Sequence, residues 1–262
     1  VTHVRSLALS ALAFSMCATA ALAQERQGTS FVEEFDAGLD RSFWYISDGW
    51  TNGAHQNCGW GREEVSVRDG KLILGFSRNE KAGESYRCGE VQTVPVFGQG
   101  TYETRVKTPA GSGLNANMFT YIGEVHGKPH DEIDFEFLLK DTSQVQLNVY
   151  KDGVGNNEHL TPLTPASDEA FRDYAFVWGP DSIEWYIDGE LVHRLDDPSK
   201  LPGNDTKIYL SLWSTDTLTS WLGPFEEPDG PLEMEVERVS FTALGDECQY
   251  PDSLVCKQAP GE

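Results

Sequence analysis

The chain has 262 residues, enough for one large all-β domain or two small ones. Its 42 Asp and Glu against 20 Lys and Arg leave a formal charge of −22, a field that repels nucleic acid and anionic membranes and disfavours a highly anionic polymer. A neutral or weakly charged partner is the expectation that remains.

Residues 1–23 read as a secretory signal peptide: Arg5 is a basic start, Leu7 to Leu22 an apolar run, and Ala21-Leu22-Ala23 a small-residue exit before Gln24. The alternative is a retained anchor, but the run is short for one, and no later stretch reaches about 18 apolar residues. The expected mature protein is exported, extracellular or periplasmic, monomeric, and free of the membrane once the leader is cut. Cys17 goes with the leader and leaves Cys58, Cys88, Cys248 and Cys256. Export permits disulfides, and four cysteines allow three pairings. Cys58–Cys88 with Cys248–Cys256 is favoured because each pair stays within one stretch of chain. Neither pair has the short spacing and nearby His of a metal site.

Past the leader, alternating runs recur and helical periodicity is scarce. "TYETRVK" puts Tyr102, Thr104 and Val106 on one face, and "VQLNVY" follows at 145–150. "SDEAFRDY" (167–174) is expected to hold one helical turn. "IEWYIDGELVH" reads as a hairpin on a tight Asp-Gly turn, and "LEMEVE" turns Leu232, Met234 and Val236 inward. Asp-Gly pairs fall at 48–49, 69–70, 152–153, 188–189 and 229–230. Many short strands between turn signals predict a β-sandwich jelly roll of two antiparallel sheets with a concave substrate groove. That domain spans residues 24–243, and 244–262 reads as a polar tail pinned by its own disulfide.

The stretch "KPHDEIDFEFLLKD" (128–141) sets Glu132, Asp134 and Glu136 at every second position, with Ile133, Phe135 and Phe137 between them. Side chains two apart share a strand face, so one face is a carboxylate row and the other suits a core. A solvated acidic face is the plain alternative, yet like charges in a row repel, and surface strands usually mix in Thr, Lys or Ser. The Cα atoms of Glu132 and Glu136 lie ~13 Å apart at about 3.3 Å rise per residue. Two Glu side chains leaning together bring their carboxyls within about 5–5.5 Å, the separation of a retaining glycosidase. Asp134 between them would raise a neighbour's pKa, or share a proton with it.

Aromatics with polar company surround these acids: Trp50 and Asn52 in "DGWTNG", Phe119 and Tyr121 in "MFTYIG", Asn148 and Tyr150 in "LNVY", with Trp60, Trp213 and Trp221 nearby. Singly, each is more often core. Together they suit sugar rings, which have apolar faces and a hydroxyl rim.

"DEIDFEFL" resembles the active-site strand of glycoside hydrolase family 16, in the uninterrupted form of its lichenase-like branch. "DGWTNGAHQNCGW", "CGEVQT", "GTYETRVK", "FTYIG", "VQLNVYKDGVGNNE", "YAFVWGPDSIEWYIDGELV" and "LSLWSTDTLTSWLG" are similar to lichenase segments in the same order. The resemblance implies Glu132 as nucleophile, Asp134 as helper and Glu136 as general acid/base. It places Trp50, Asn52, Glu90, Phe119, Tyr121, Asn148, Tyr150, Trp213 and Trp221 on sugar-binding positions, and it matches Cys58–Cys88 to the lichenase disulfide. No cofactor is required by the chemistry it implies. A structural calcium on the convex side would fall near Glu34, Gly70 and Glu237, with Glu where an Asp is usual. The sequence departs from the lichenase pattern at Trp50, Gln92, His130 and Ser211, which bears on the substrate. His130 is read equally as a sugar contact or as a neighbour that supports the site. The function implied is a secreted retaining endo-β-glycanase acting on β-1,3/β-1,4 links of a mixed glucan or bacterial exopolysaccharide. A transglycosylase on β-glucan or xyloglucan-type polymer, or a lectin without turnover, are the alternatives.

Overall fold

Alternation at period two becomes strand wherever it was read. The computed structural model describes residues 26–80 and 83–258. The leader expected at 1–23, with Cys17, lies outside the described residues, as do the last residues of the tail.

Two antiparallel layers face each other. The concave layer runs, in spatial order, His159–Pro162, Gln144–Tyr150, Asp131–Leu138, Leu114–Ile122, Lys207–Ser214, Tyr86–Thr93 and Trp44–Ile46. The convex layer runs Lys71–Arg78, Leu232–Ala243, Gly100–Lys107, Arg172–Trp178, Ile183–Ile187 and Glu190–Leu195. One strand joins them. The first part of Tyr86–Thr93 pairs with Lys71–Arg78, and the part from Gly89 to Gln92 pairs with Lys207–Ser214. At Gly89, a Cβ would stand 2.6 Å from the Glu64 carbonyl oxygen and 3.1 Å from the Gly75 nitrogen, so only glycine lets the chains approach where the strand changes layer.

The core fills the space between the layers. Ile133, Phe135 and Phe137 are buried, as are Met118, Leu147 and Val149 on adjacent strands. From the convex side come Tyr102, Val106, Tyr174, Phe176, Met234 and Val236. The Tyr174 ring meets Phe137 edge-on at 4.9 Å and Phe135 at 5.4 Å. Truncating either Phe to Ala would cost about 3–5 kcal/mol. Trp185 Nε1, from the convex layer, donates to the Asp134 carbonyl at 3.2 Å and ties the acidic strand's backbone to that core.

Three of the five Asp-Gly pairs are tight left-handed turns, with Asp69, Asp152 and Asp188 at φ 53°, 51° and 51° and Gly after each also positive. Two of these close hairpins, Val65–Arg68 to Lys71–Arg78 and Ile183–Ile187 to Glu190–Leu195. Both expected disulfides are present, Cys58–Cys88 and Cys248–Cys256.

Two expectations need correction. Residues 167–174 hold a turn and then the start of the Arg172–Trp178 strand, not a helical turn. Ladder pairing with Gly100–Lys107 on one side and Ile183–Ile187 on the other outweighs the local preference of "SDEAF". The segment after 243 is more than a polar tail. Ser253 and Leu254 are buried against the convex layer, where Glu103 accepts hydrogen bonds from Ser253 Oγ at 2.7 Å and the Leu254 amide at 2.8 Å. The short helix Leu254–Gln258 is held there, and Arg238 lies over the Tyr250 ring at 4.2 Å.

Candidate active site

Antiparallel register assembles the site from five strands. Glu132 stands beside Tyr150 and Tyr121, Asp134 beside Asn148 and Phe119, and Glu136 beside Gln146 and Asn117. The Asn117 row continues through Ser211 to Glu90. Cross-strand neighbours share a face, so the acids and their aromatic and amide flanks all open on the concave side.

Two adjoining lobes of about 760 and 820 Å³ form one groove over this face. Trp50, Asn52, Glu90, Phe119, Tyr121 and His130 line the first lobe; Asn148, Tyr150 and Trp221 line the second; Trp213, His130, Glu132 and Glu136 line both. Every sugar-binding residue expected from the sequence therefore lies in the groove. Trp60 does not: it is fully buried, meeting Trp50 edge-on at 6.2 Å and donating from Nε1 to Asn52 Oδ1 at 3.4 Å. Trp221 is oriented by a bond from its Nε1 to Gln146 Oε1 at 2.8 Å.

Glu132, Asp134 and Glu136 each offer a carboxylate oxygen within 4.8 Å of the other two. Three negative charges cannot share so small a space. Burial, with the charges of Glu132 and Glu136 beside it, pushes Asp134 far above the usual carboxylate range. Glu136 rises to about 8, again through burial first and the Glu132 charge second, with Asn115 and Asn117 partly opposing the shift. Asp134 and Glu136 thus hold protons at neutral pH. His130 Nε2 lies 2.5 Å from Glu132 Oε2, and that bond holds the imidazole above its ordinary pKa. The His130 ring stacks on Tyr150 at 4.9 Å and meets Tyr121 edge-on at 5.1 Å. Between the two readings of His130, the geometry gives it a bond to the nucleophile candidate as well as a place in the groove wall.

Asp131, one residue before Glu132, shows how environment decides the charge. It is as buried as Asp134, but its carboxylate accepts from the amides of Asp152 (3.0 Å), Gly203 (2.9 Å) and Asn204 (3.0 Å), and from Asn204 Nδ2 (2.8 Å). Burial works against ionisation, yet these donors prevail and hold it below the usual range. Asp131 is an anchor that fastens two loops to the head of the acidic strand.

Sequence reading missed several groove residues: His55, Asn117, Val125, His126, Gln146, Glu158 and Tyr209. Asn117, Gln146 and Tyr209 had a signal, since each continues by two residues an alternation already noticed at Phe119, Asn148 or Ser211. His55 and His126 sit on connections, where no periodicity marks them.

At the calcium positions, the Glu237 carboxylate is taken by Arg105, whose Nε donates to it at 2.8 Å. Gly70 occupies its turn beside Asp36, with a Cβ position 2.9 Å from Asp36 Oδ1. A cation there would have to displace the guanidinium or use main-chain carbonyls, so the side chains present do not form a dedicated cage.

A jelly roll whose groove centres on paired carboxyls has the layout of a two-carboxylate glycoside hydrolase. Residues 52–229 match the model of glycosyl hydrolases family 16, and the chain belongs to that family. It is 50% identical over 228 residues to an endo-1,3-1,4-beta-glycanase, ExoK, of Rhizobium meliloti, covering 87% of this chain and 84% of that one. It is 37% identical to a beta-glucanase of Bacillus subtilis, covering 92% of this chain and 97% of that one. Among solved structures, the Bacillus licheniformis beta-glucanase superposes with a TM-score of 0.78 at 36% identity, covering 83% and 99% of the two chains. The laminarinase catalytic domain of Thermotoga maritima, 23% identical with a TM-score of 0.70 over 83% and 98% of the two chains, shares the fold.

Proposed function

We propose that the protein is a secreted, retaining endo-β-glycanase that cleaves β-1,3 or β-1,4 links in a mixed-linkage glucan or bacterial exopolysaccharide. The observation that carries this reading is the pair Glu132 and Glu136, with carboxylate oxygens within 4.8 Å, where two groove lobes of about 760 and 820 Å³ meet. The relatives named as glycanases and beta-glucanases support the substrate class.

Each residue has a task that its environment suits. Glu136, protonated at neutral pH, gives its proton to the glycosidic oxygen as the bond to the anomeric carbon breaks. Glu132 attacks that carbon through a carboxylate oxygen and forms a glycosyl ester. Asp134, neutral, donates a hydrogen bond to Glu132 and keeps the nucleophile in place without adding charge. Once the leaving sugar departs, Glu136 is the base that takes a proton from water, and the water releases the sugar with its configuration retained. The step needs no redox group or metal. A calcium ion near Glu34, Gly70 and Glu237 would have to be held by main-chain carbonyls, and a rise in Tm on adding calcium is its test.

The test is release of reducing ends from lichenan, laminarin, xyloglucan and a succinoglycan-like polymer. Cleavage of one of the first two or the last is expected. Silence on all four, with binding retained, would replace this reading by a lectin, and product chains longer than the substrate would point to transglycosylation. Secretion is tested by sequencing the N-terminus of exported protein, expected to begin at Gln24.

A further inference from the structure

The register of the concave layer continues past the expected sugar contacts. Asn148, Asp134, Phe119, Tyr209, Gln92 and Tyr45 are successive cross-strand neighbours over six adjacent strands. Residues so paired share a face. Phe119, Tyr209 and Gln92 already line the groove, so Tyr45 opens on the same side, one strand further out. Its neighbours in sequence agree: Trp44 and Ile46 are buried in the core, whereas Tyr45 is 46% exposed.

A single exposed tyrosine needs no explanation. Here, continuity with the groove supplies one. The rings of Phe119 and Tyr209 stack at 4.9 Å with 25° between planes, and the Tyr209 hydroxyl bonds Gln92 Oε1 at 3.1 Å. These side chains form a floor of alternating apolar faces and hydrogen-bonding groups that leads from the carboxylates to Tyr45. At about 4.8 Å between strands, Tyr45 stands ~19 Å from the Asp134 strand. A pyranose unit is roughly one strand spacing long.

We infer that Tyr45, with Gln92, forms a remote sugar-binding subsite at the Trp44–Ile46 edge of the groove. Its ligand is a hexopyranose unit of the same polysaccharide, about four units from the bond being cut. The phenol ring covers the apolar face of the sugar, and the Gln92 amide and tyrosine hydroxyl meet its hydroxyl rim. The inference rests on the polysaccharide reading above. It makes the enzyme prefer long chains and says nothing of the chemical step.

Wild type, Tyr45→Ala and Tyr45→Phe are compared on lichenan and on an aryl β-glycoside of a disaccharide, which is too short to reach Tyr45. For Tyr45→Ala, KM on lichenan should rise roughly 3–10-fold with kcat unchanged. The aryl glycoside should be turned over as by wild type, and Tyr45→Phe should keep most of the affinity. Equal loss on both substrates, or no loss on lichenan with Tm preserved, overturns the subsite. If wild type cleaves nothing, lichenan binding to the three proteins decides. Weaker binding by Tyr45→Ala would keep the subsite while the hydrolase reading falls; equal binding, or none, would remove it.

Discussion

The concave and convex faces carry the same acidic residue types in opposite conditions. On the convex face, Arg105 bonds Glu237 at 2.8 Å and Asp173 at 2.9 Å, and Arg238 reaches Asp173 at 3.0 Å. Lys71 lies 3.3 Å from Glu235. In the groove, no Lys or Arg among the described residues pairs with Glu90, Glu132, Asp134 or Glu136, and His130 is the one basic partner recorded for them. The convex carboxyls have cationic partners and the groove carboxyls have none of Lys or Arg type among the described residues. Leaving them uncompensated raises Asp134, Glu136 and Glu90 instead, so burial here sets proton occupancy. The difference teaches that the groove spends stability on charge state, and each prediction below presses on it.

The largest effect is expected at Glu132, the proposed nucleophile. Glu132→Gln keeps the shape and removes the attacking charge, so kcat should fall on the order of 10⁴-fold or more while polysaccharide binding persists. Retention of a tenth of wild-type rate would sink the assignment. Roles within the pair are separated by azide. Glu136→Ala on an activated aryl glycoside should form the intermediate and then stall, and azide should rescue it as the β-glycosyl azide. Glu132→Ala opens space for direct azide attack, giving the α-product. The same anomer from both variants would contradict the two-carboxylate mechanism.

Next in size are the two disulfides. Cys58–Cys88 closes a separation of 30 residues, and Gln56, on the loop that brings His55 to the groove, donates from Nε2 to Cys88 Sγ at 3.3 Å. Replacing both cysteines by Ala should cost about 3–4 kcal/mol and raise KM as that loop loosens. Cys248–Cys256 closes only 8 residues in the tail that packs on the convex layer. Its loss should cost roughly 2–3 kcal/mol in the same entropy relation and leave kinetics unchanged. A KM change from the second pair would show that the tail communicates with the groove.

A smaller effect carries the sign of the charge-state argument. Glu90 is buried, accepts from Ser47 Oγ at 2.5 Å, and is pushed up to about 8 by burial against the opposing pull of that bond. Between its unfolded value and about 8, the folded state binds the proton that the unfolded state has released. Stability from this group is therefore full at low pH and declines as pH rises toward 8. Glu136 adds the same slope. In Glu90→Gln, the fall in Tm between about pH 5 and 8 should shrink, with little change at the acidic end. An unchanged slope would mean that Glu90 is ionised in the folded protein. Activity should also decline above pH 8, where Glu136 loses its proton.

Much of this was legible in the sequence because strand periodicity is strict. Glu132, Asp134 and Glu136 alternate with core residues, and nothing but a strand gives that pattern meaning. Asp188-Gly189 announced its hairpin through the left-handed conformations those residues tolerate. What stayed hidden depends on register between distant strands. Gln92 and Tyr209 become neighbours only when residues 86–93 and 207–214 pair, and Tyr45 joins them only through a third pairing. Glu103 falls on the strand face opposite Tyr102 and Thr104, yet the returning tail buries it beneath Ser253 and Leu254. The proton occupancy of Glu90 was equally invisible, since desolvation is a property of the assembled layer.

The smallest effect tests the convex half of the comparison. Lys71 and Glu235 are paired at 3.3 Å with side chains 26% and 30% exposed, and Lys71 also stands 5.7 Å from the Phe171 ring centre. Water still screens much of the attraction, and both long side chains lose rotamer freedom to meet. A double-mutant cycle with Lys71→Gln and Glu235→Gln should therefore give a coupling of about 0–1 kcal/mol. At ~1 M salt, where charges are screened beyond about 3 Å, the coupling should fall toward zero. Kinetics on lichenan should not move in any of the three variants, because neither residue touches the groove. If the coupling exceeded about 2 kcal/mol and resisted salt, the pair would behave as a buried one. The convex ion pairs would then be structural supports, and the contrast with the cation-poor groove would be sharper than exposure suggests.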